Sequence, residues 1–273
     1  MRMTNTIGTM MKTPDNKHLP ILQFSVLKEY SKIVHFMTTR HGGVSRGKYA
    51  SLNLSEYCGD DPAAVRQNRE KLCTALGISP ADLYVPHQVH GDRVSLYEAS
   101  ARPAEDADAL ITGEQGICIA VSTADCVSVL LYAPDKEMVA AIHAGWRGTL
   151  SYIVAKTLRR MVDELACDPR RMRAGIGPSI GADVFETGEE VYDAFAAAGM
   201  DMRAISKRNK TTGKALIDLK EANRRQLLDS GLTEAHIEVS DVCTYTRPDD
   251  FFSARRSGIN SGRMLTGIMI KNS

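Results

Sequence analysis

Between residues 109 and 143 four short apolar runs follow one another with little but turn-forming residues between them: Ala109–Thr112, Ile117–Ser122, Val127–Tyr132 and Met138–His143. Their length suits strands, and they lack the polar/apolar alternation of a half-exposed strand, so they read as buried strands. Periodicity alone does not separate such short runs from helix segments. From Leu150 the spacing turns helical, with Ile153, Val154, Leu158, Met161 and Leu165 on one face. Further strands are expected at Ile21–Val26, Ile33–Thr38, Asp92–Tyr97, Met172–Ile176, Ile237–Val239 and Met264–Ile270. Asp61-Pro62 opens a helix that runs through Val65, Asn68, Leu72 and Leu76 to a stop at Gly77. Two more helices are expected near Glu186–Ala198 and Leu219–Leu228. Several strands follow one another directly, and helices do not alternate with them strictly. That favours an α+β architecture with mixed sheets over a doubly wound parallel sheet.

Residues 1–20 read as a flexible tail, polar and without periodicity. No linker divides residues 21–273, since the one candidate, Ser206–Gly213, reads as a surface loop. The chain therefore reads as a single domain after its tail.

The balance of 34 basic against 33 acidic side chains leaves a net charge of +1, which gives no electrostatic footprint for nucleic acid or an anionic membrane. A local phosphate site needs only a few convergent cations and stays possible. The longest apolar stretch, near Cys118–Ala133, is interrupted by Ser122, Thr123, Asp125 and Ser128, and is too polar and short to span a membrane. The first residues have no apolar core of signal-peptide length. The expectation is a cytoplasmic protein whose six cysteines, none in a CxxC pair, are reduced.

Reactive side chains gather at the ends of the expected strands. Pro86–Asp92 carries His87 and His90, Ser122–Cys126 carries Asp125 and Cys126, and Ala141–Gly148 carries His143 and Arg147. Two imidazoles and a thiolate suit a borderline-soft ion such as zinc, and three protein ligands leave a fourth position open. His90, Cys126 and His143 lie 36 and 17 residues apart, so this is no compact finger and spacing alone is a weak signal. A buried cysteine is more often packing, and a lone histidine more often a satisfied core or surface group. Cys126 also permits a thiolate nucleophile paired with His90 or His143. The glycine-rich segments Arg40–Gly47 and Gly145–Gly148 bring an arginine to a tight turn, a fork for phosphate or carboxylate in one reading and a solvated charge in the other.

Taken in order, these segments resemble a known family. They include Thr38-Thr39-Arg40-His41-Gly42-Gly43-Val44-Ser45, Ser51-Leu52-Asn53-Leu54, Gly59-Asp60-Asp61-Pro62, Asn68-Arg69 and Gln88-Val89-His90-Gly91. Ala107-Asp108-Ala109-Leu110, Thr123-Ala124-Asp125-Cys126, His143-Ala144-Gly145-Trp146-Arg147-Gly148 and Gly177-Pro178-Ser179-Ile180-Gly181 continue the order. Phe185-Glu186, Cys243-Thr244-Tyr245, Phe251-Phe252-Ser253, Arg255-Arg256 and Gly262-Arg263-Met264 complete it. The chain resembles, from about Phe24 onward, the laccase-domain family, also called the peptidoglycan editing factor or polyphenol oxidase family. One departure is Ala254, where an aromatic residue often precedes the arginine.

The resemblance implies a single domain of four layers, helix–sheet–sheet–helix, with mixed sheets. It implies zinc on His90, Cys126 and His143, phosphorolysis of adenosine, inosine, guanosine and methylthioadenosine, and deamination of adenosine. Zinc makes chemical sense of deamination because it activates water toward the purine C6. Arg40 and Arg147, with Asn53 and Gln88 from two of the matching segments, are the candidates for binding nucleoside and phosphate. Asp125 is a candidate proton carrier beside Cys126, or a structural carboxylate.

Three other readings compete. A copper-dependent polyphenol oxidase would need several coppers and many histidines, whereas the chain has seven in all. A single His₂Cys centre would nonetheless take copper, which outcompetes zinc at most such sites. A metal-free hydrolase using Cys126 would fit removal of a wrongly built peptidoglycan precursor. A non-enzymatic scaffold leaves the convergence of reactive groups without a reason.

Overall fold

The structure, a computed structural model, describes residues 10–12, 18–98 and 106–272. In chain order the strands are β1 (Met10–Lys12), β2 (His18–Leu22), β3 (Ile33–Thr38), β4 (Leu83–Tyr84), β5 (Val94–Leu96), β6 (Ala109–Thr112), β7 (Cys118–Thr123) and β8 (Val127–Ala133). They continue with β9 (Met138–Ala144), β10 (Arg173–Ile176), β11 (Glu186–Thr187), β12 (Ser206–Arg208), β13 (Ala215–Ile217), β14 (Ile237–Val239) and β15 (Met264–Ile270). The helices are α1 (Ser25–Lys28), α2 (Pro62–Leu76), α3 (Trp146–Leu150), α4 (Ile153–Asp163), α5 (Glu189–Ala197), α6 (Met202–Ile205), α7 (Leu219–Asp229) and α8 (Ala254–Ser257).

Two six-stranded mixed sheets, β1-β2-β3-β15-β7-β4 and β14-β10-β8-β9-β6-β5, lie face to face. The four apolar runs become β6 to β9, and their lack of alternation now has a cause: these strands are covered on both faces. Along β8, Val127, Val129, Leu131 and Ala133 pack under α4 and α7, while Leu130 and Tyr132 face the other sheet. On β7, Ile119 and Val121 point into the space between the sheets and Cys118 and Ala120 pack outward against Leu72 and Cys73 of α2. Three apolar clusters thus separate four layers, as expected: α2, sheet, sheet, and α4 with α7.

Local chemistry explains the helix ends. Asp61 caps α2 by accepting from the Ala63 amide, Pro62 takes the first turn, and Gly77 ends it at φ 72°, a left-handed position that glycine adopts without strain.

Several expectations need correction. Residues 21–26 do not form one strand: β2 ends at Leu22 and α1 begins at Ser25, because the Phe24 amide leaves the ladder to donate to His35 Nε2 at 2.8 Å. The sheet also starts inside the segment expected to be a tail, since β2 begins at His18 and pairs with β1, and Leu19 is buried. Residues 1–9 and 13–17 of that tail lie outside the described residues. The helical run from Leu150 is broken at Tyr152, at φ 59°, into α3 and α4. Glu186 and Thr187 pair with β13 instead of opening a helix, and Ser206–Arg208, expected to be loop, pairs with its other edge. This small sheet owes its strands to pairing partners far along the chain, which a local reading does not see.

Candidate metal centre

His90, Cys126 and His143 converge at the start of β8 and the end of β9. Cys126 immediately precedes β8, and His143 is the penultimate residue of β9. The antiparallel register sets Val127 against Ala144 and Ser128 against His143, which brings the thiol to the imidazole. His90 arrives on the loop before β5. Its Nε2 lies 3.9 Å from Cys126 Sγ, and its ring meets that of His143 edge-on at 4.8 Å between centroids. The three donor atoms lie within 4.8 Å of one another, and among the described residues no other group of three His, Cys, Asp or Glu side chains could hold a metal. Tetrahedral zinc with these ligands needs donor separations of roughly 3.5 Å, so small side-chain adjustments close the site.

Asp108, which immediately precedes β6, organises the cluster. Its Oδ1 accepts from His143 Nδ1 at 2.7 Å and from the His90 amide at 3.0 Å, and its Oδ2 from the Gly91 amide at 2.7 Å and the Val89 amide at 3.3 Å. One buried carboxylate therefore fixes the His143 ring, with Nδ1 engaged and Nε2 free to ligate, and holds the loop that carries His90. That loop needs holding, because His90 sits at φ 58° and the residue before Cys126, Asp125, at φ 90°. Strained backbone at both flanks of a site is stable only when its surroundings over-determine it. Gly145 completes the fit: a Cβ there would stand 3.2 Å from both Cys126 Sγ and His90 Cδ2 and 3.7 Å from His143 Cε1.

The electrostatics follow from this packing. Burial disfavours the Cys126 thiolate, but His143 and His90 more than offset it and draw the thiol below its ordinary value. Burial likewise opposes charge on His143, and the Cys126 thiolate and Asp108 carboxylate outweigh it, moving the imidazole up. Asp108, whose burial opposes its charge, is held below the usual carboxylate range by His143 and the loop amides. Zinc takes a thiolate and neutral imidazoles, and its binding releases protons, so this donor set with its raised His143 fits the ion the resemblance implies.

The three candidate ligands open onto a cleft of about 700 Å³, lined also by Tyr57, Arg69, His87, Gln88, Arg255, Ile259 and Arg263. The other residues singled out from sequence divide. Gln88 lines the cleft, but its amide is engaged with Ser122, accepting from the Ser122 amide at 2.7 Å and donating to its carbonyl at 2.9 Å. Arg40 does not line it: its guanidinium donates to Ala50 O at 2.8 Å and Pro248 O at 2.5 Å and lies over the Phe252 ring. Arg147 is exposed and stacks on Trp146. Asn53 is fully buried and holds Ser55, Asp60 and the Arg263 amide. Asp125 has both oxygens occupied, by Thr244 at 2.6 Å and by Ser253 and the Arg255 amide at 2.9 and 2.7 Å, so it fastens the ligand turn to the 244–255 segment.

Sequence reasoning gave no role to Asp108, Gly145 or the cleft arginines Arg69, Arg255 and Arg263. Beyond its place in the motif Ala107-Asp108-Ala109-Leu110, the visible sign of Asp108 was a carboxylate just before an apolar run, because a buried charge there demands partners.

Known proteins resemble the chain over most of its length. Residues 34–271 match the family described as multi-copper polyphenol oxidoreductase laccase. A purine nucleoside phosphorylase of Bacteroides thetaiotaomicron is 48% identical over 259 residues, covering 92% of this chain and 96% of its own. Adenosine deaminase RL5, from an unknown prokaryotic organism, is 41% identical over 253 residues, covering 89% and 96%. The crystal structure of Bacillus licheniformis hypothetical protein YfiH superposes with a TM-score of 0.85 at 30% identity, covering 93% of this chain and 96% of that one. With its fold, its ordered motifs and its matched length in agreement, the chain belongs to the multi-copper polyphenol oxidoreductase laccase family.

Proposed function

We propose that the protein is a zinc-dependent purine nucleoside enzyme that cleaves adenosine, inosine, guanosine and methylthioadenosine by phosphorolysis and also deaminates adenosine. The observation that carries this reading is one His₂Cys cluster, with its thiolate and oriented imidazole, at the wall of a cleft of nucleoside size. The names of the relatives that are 48% and 41% identical support the substrate class.

His90, Cys126 and His143 would hold the ion, which when bound supplies Lewis-acid activation of water. Asp108 keeps the His143 proton on Nδ1, so that Nε2 presents its lone pair. The cleft arginines Arg69, Arg255 and Arg263 suit phosphate better than Arg40 and Arg147, which do not line it. Asp125 acts by position, through Thr244 and Ser253. A single cluster among the described residues supports a mononuclear site over a chain of coppers, although copper would bind these donors too. The six cysteines, all free, support a reducing cytoplasmic setting for this single catalytic domain.

One observation favours a second reading. Cys126 lies beside His143, whose other nitrogen is bonded to Asp108, and that is the order of a thiol-hydrolase triad. Metal analysis separates the two. Protein purified without added metal should carry about one zinc per chain, in keeping with a three-ligand site. It should form inosine from adenosine with or without phosphate, and release free base only with phosphate. A chelator should abolish both activities. Full activity after chelation, with no zinc bound, would refute the reading and favour the thiol enzyme.

A further inference from the structure

Among the described residues three large apolar side chains stand exposed: Tyr57 at 67%, Val89 at 47% and Ile259 at 78%. Scattered singly they would need no account. They are gathered, however: Tyr57 and Ile259 line the metal cleft, and Val89 directly precedes the ligand His90. Apolar groups held in water around one cleft mark a binding site.

Tyr57 is fixed in place while its ring is left open. Its amide donates to Ser55 Oγ at 3.2 Å, and the next residue, Cys58, is pinned by Tyr49, whose hydroxyl donates to the Cys58 carbonyl at 2.8 Å. The Tyr57 ring leans on His87 at 4.7 Å between centroids and 58° between planes. His87 in turn is held by Asp106 through Nδ1 at 2.8 Å. A ring tilted this way is braced on one side and leaves a flat π-face unstacked.

We propose that the Tyr57 ring is the stacking platform for the purine base of the nucleoside, with His87 as its brace. This rests on the purine nucleoside reading above and deepens it. A π-face accepts every purine and reads none of its edges, so such a platform accounts for a single cleft taking adenine, hypoxanthine and guanine nucleosides. Three side chains are too few for a subunit contact, which needs about 800 Å² from each partner. The cleft volume instead falls within the roughly 300–1,000 Å³ typical of small-molecule sites.

The test uses the zinc-loaded protein and three variants, Tyr57→Ala, Tyr57→Leu and Tyr57→Phe. Steady-state kinetics with adenosine, inosine and guanosine is paired with the fluorescence of 2-aminopurine riboside, which stacking quenches, on metal-free protein. Tyr57→Ala and Tyr57→Leu should raise KM for all three nucleosides by a similar factor, roughly 5- to 150-fold, with kcat and zinc content retained. Tyr57→Phe should restore KM, and the quench should survive only in wild type and Tyr57→Phe. Unchanged KM and quench in Tyr57→Ala would overturn the proposal, as would a rise confined to one nucleoside. A change of molar mass in Tyr57→Ala without change in KM would also overturn it, making the patch a subunit contact. If wild type turns over no purine nucleoside, the parent reading fails. The quench then decides the platform alone: present in wild type and lost in Tyr57→Ala it stands, absent in wild type it falls.

Discussion

Replacing Asp108 by asparagine removes a charge and one acceptor oxygen from a side chain that is fully buried and receives four hydrogen bonds. An amide cannot serve both pairs of donors. With its oxygen in the Oδ1 place, its NH₂ faces the Val89 and Gly91 amides, leaving two part-buried donors unmet. With its oxygen in the Oδ2 place, its NH₂ points at His143 Nδ1 and the His90 amide. The imidazole then moves its proton to Nε2, and the ligand lone pair is lost. The first arrangement costs about 1 kcal/mol per part-buried orphaned amide, the low end of the range for buried donors, so about 2 kcal/mol in all. Either arrangement loosens an orienting contact of the kind whose loss weakens metal binding about 10- to 100-fold. Urea unfolding of metal-free Asp108→Asn should therefore show a destabilisation of about 2 kcal/mol, and competition with a chromophoric chelator a zinc Kd raised about 10- to 100-fold. A variant that binds zinc within about twofold of wild type and unfolds at the same urea concentration would refute the assignment of Asp108 as the organising carboxylate.

Two further outcomes follow from the same geometry. Gly145→Ala should strip zinc from the protein while leaving the metal-free unfolding transition nearly in place. Its methyl group would stand 3.2 Å from Cys126 Sγ and His90 Cδ2, where the ligands must close on the ion, and wild-type zinc content in that variant would count against the site. The third concerns acid stability. Burial draws His35 down to about 4, and its Nε2 accepts from the Phe24 amide, which a protonated ring cannot do. The unfolded chain then binds the extra proton first, so stability is fully present above about pH 6.5 and falls as pH drops toward 4. The loss is about 1.4 kcal/mol per pH unit and roughly 3 kcal/mol in total. In wild type the slope of unfolding free energy against pH should exceed that of His35→Gln by this amount across the window, and equal slopes would refute the buried neutral imidazole.

The architecture was legible where burial leaves a mark on composition. The unbroken apolar runs of β6 to β9 and the capped, glycine-stopped α2 are local statements, and local chemistry was enough to read them. The three candidate ligands were legible as residue types at strand ends, yet their spacing of 36 and 17 residues was a weak signal by itself. The ordered family motifs, together with a thiol and two imidazoles that share few functions, made them a set. Where Arg40, Arg147, Asn53 and Asp125 sit and what they touch was decided only by the tertiary structure. A glycine-flanked arginine reads the same whether it meets phosphate or, as Arg40 does, two backbone carbonyls and a phenyl ring. Asp108 shows the opposite case, a residue of modest local signal that becomes central because folding sets it beneath His143 and the His90 loop at once. The amino-acid sequence by itself determined which segments are buried and which groups are available to bind a soft cation. Only the folded chain decided which polar atoms meet, because a hydrogen bond depends on ångström-scale distances between residues that the sequence keeps far apart.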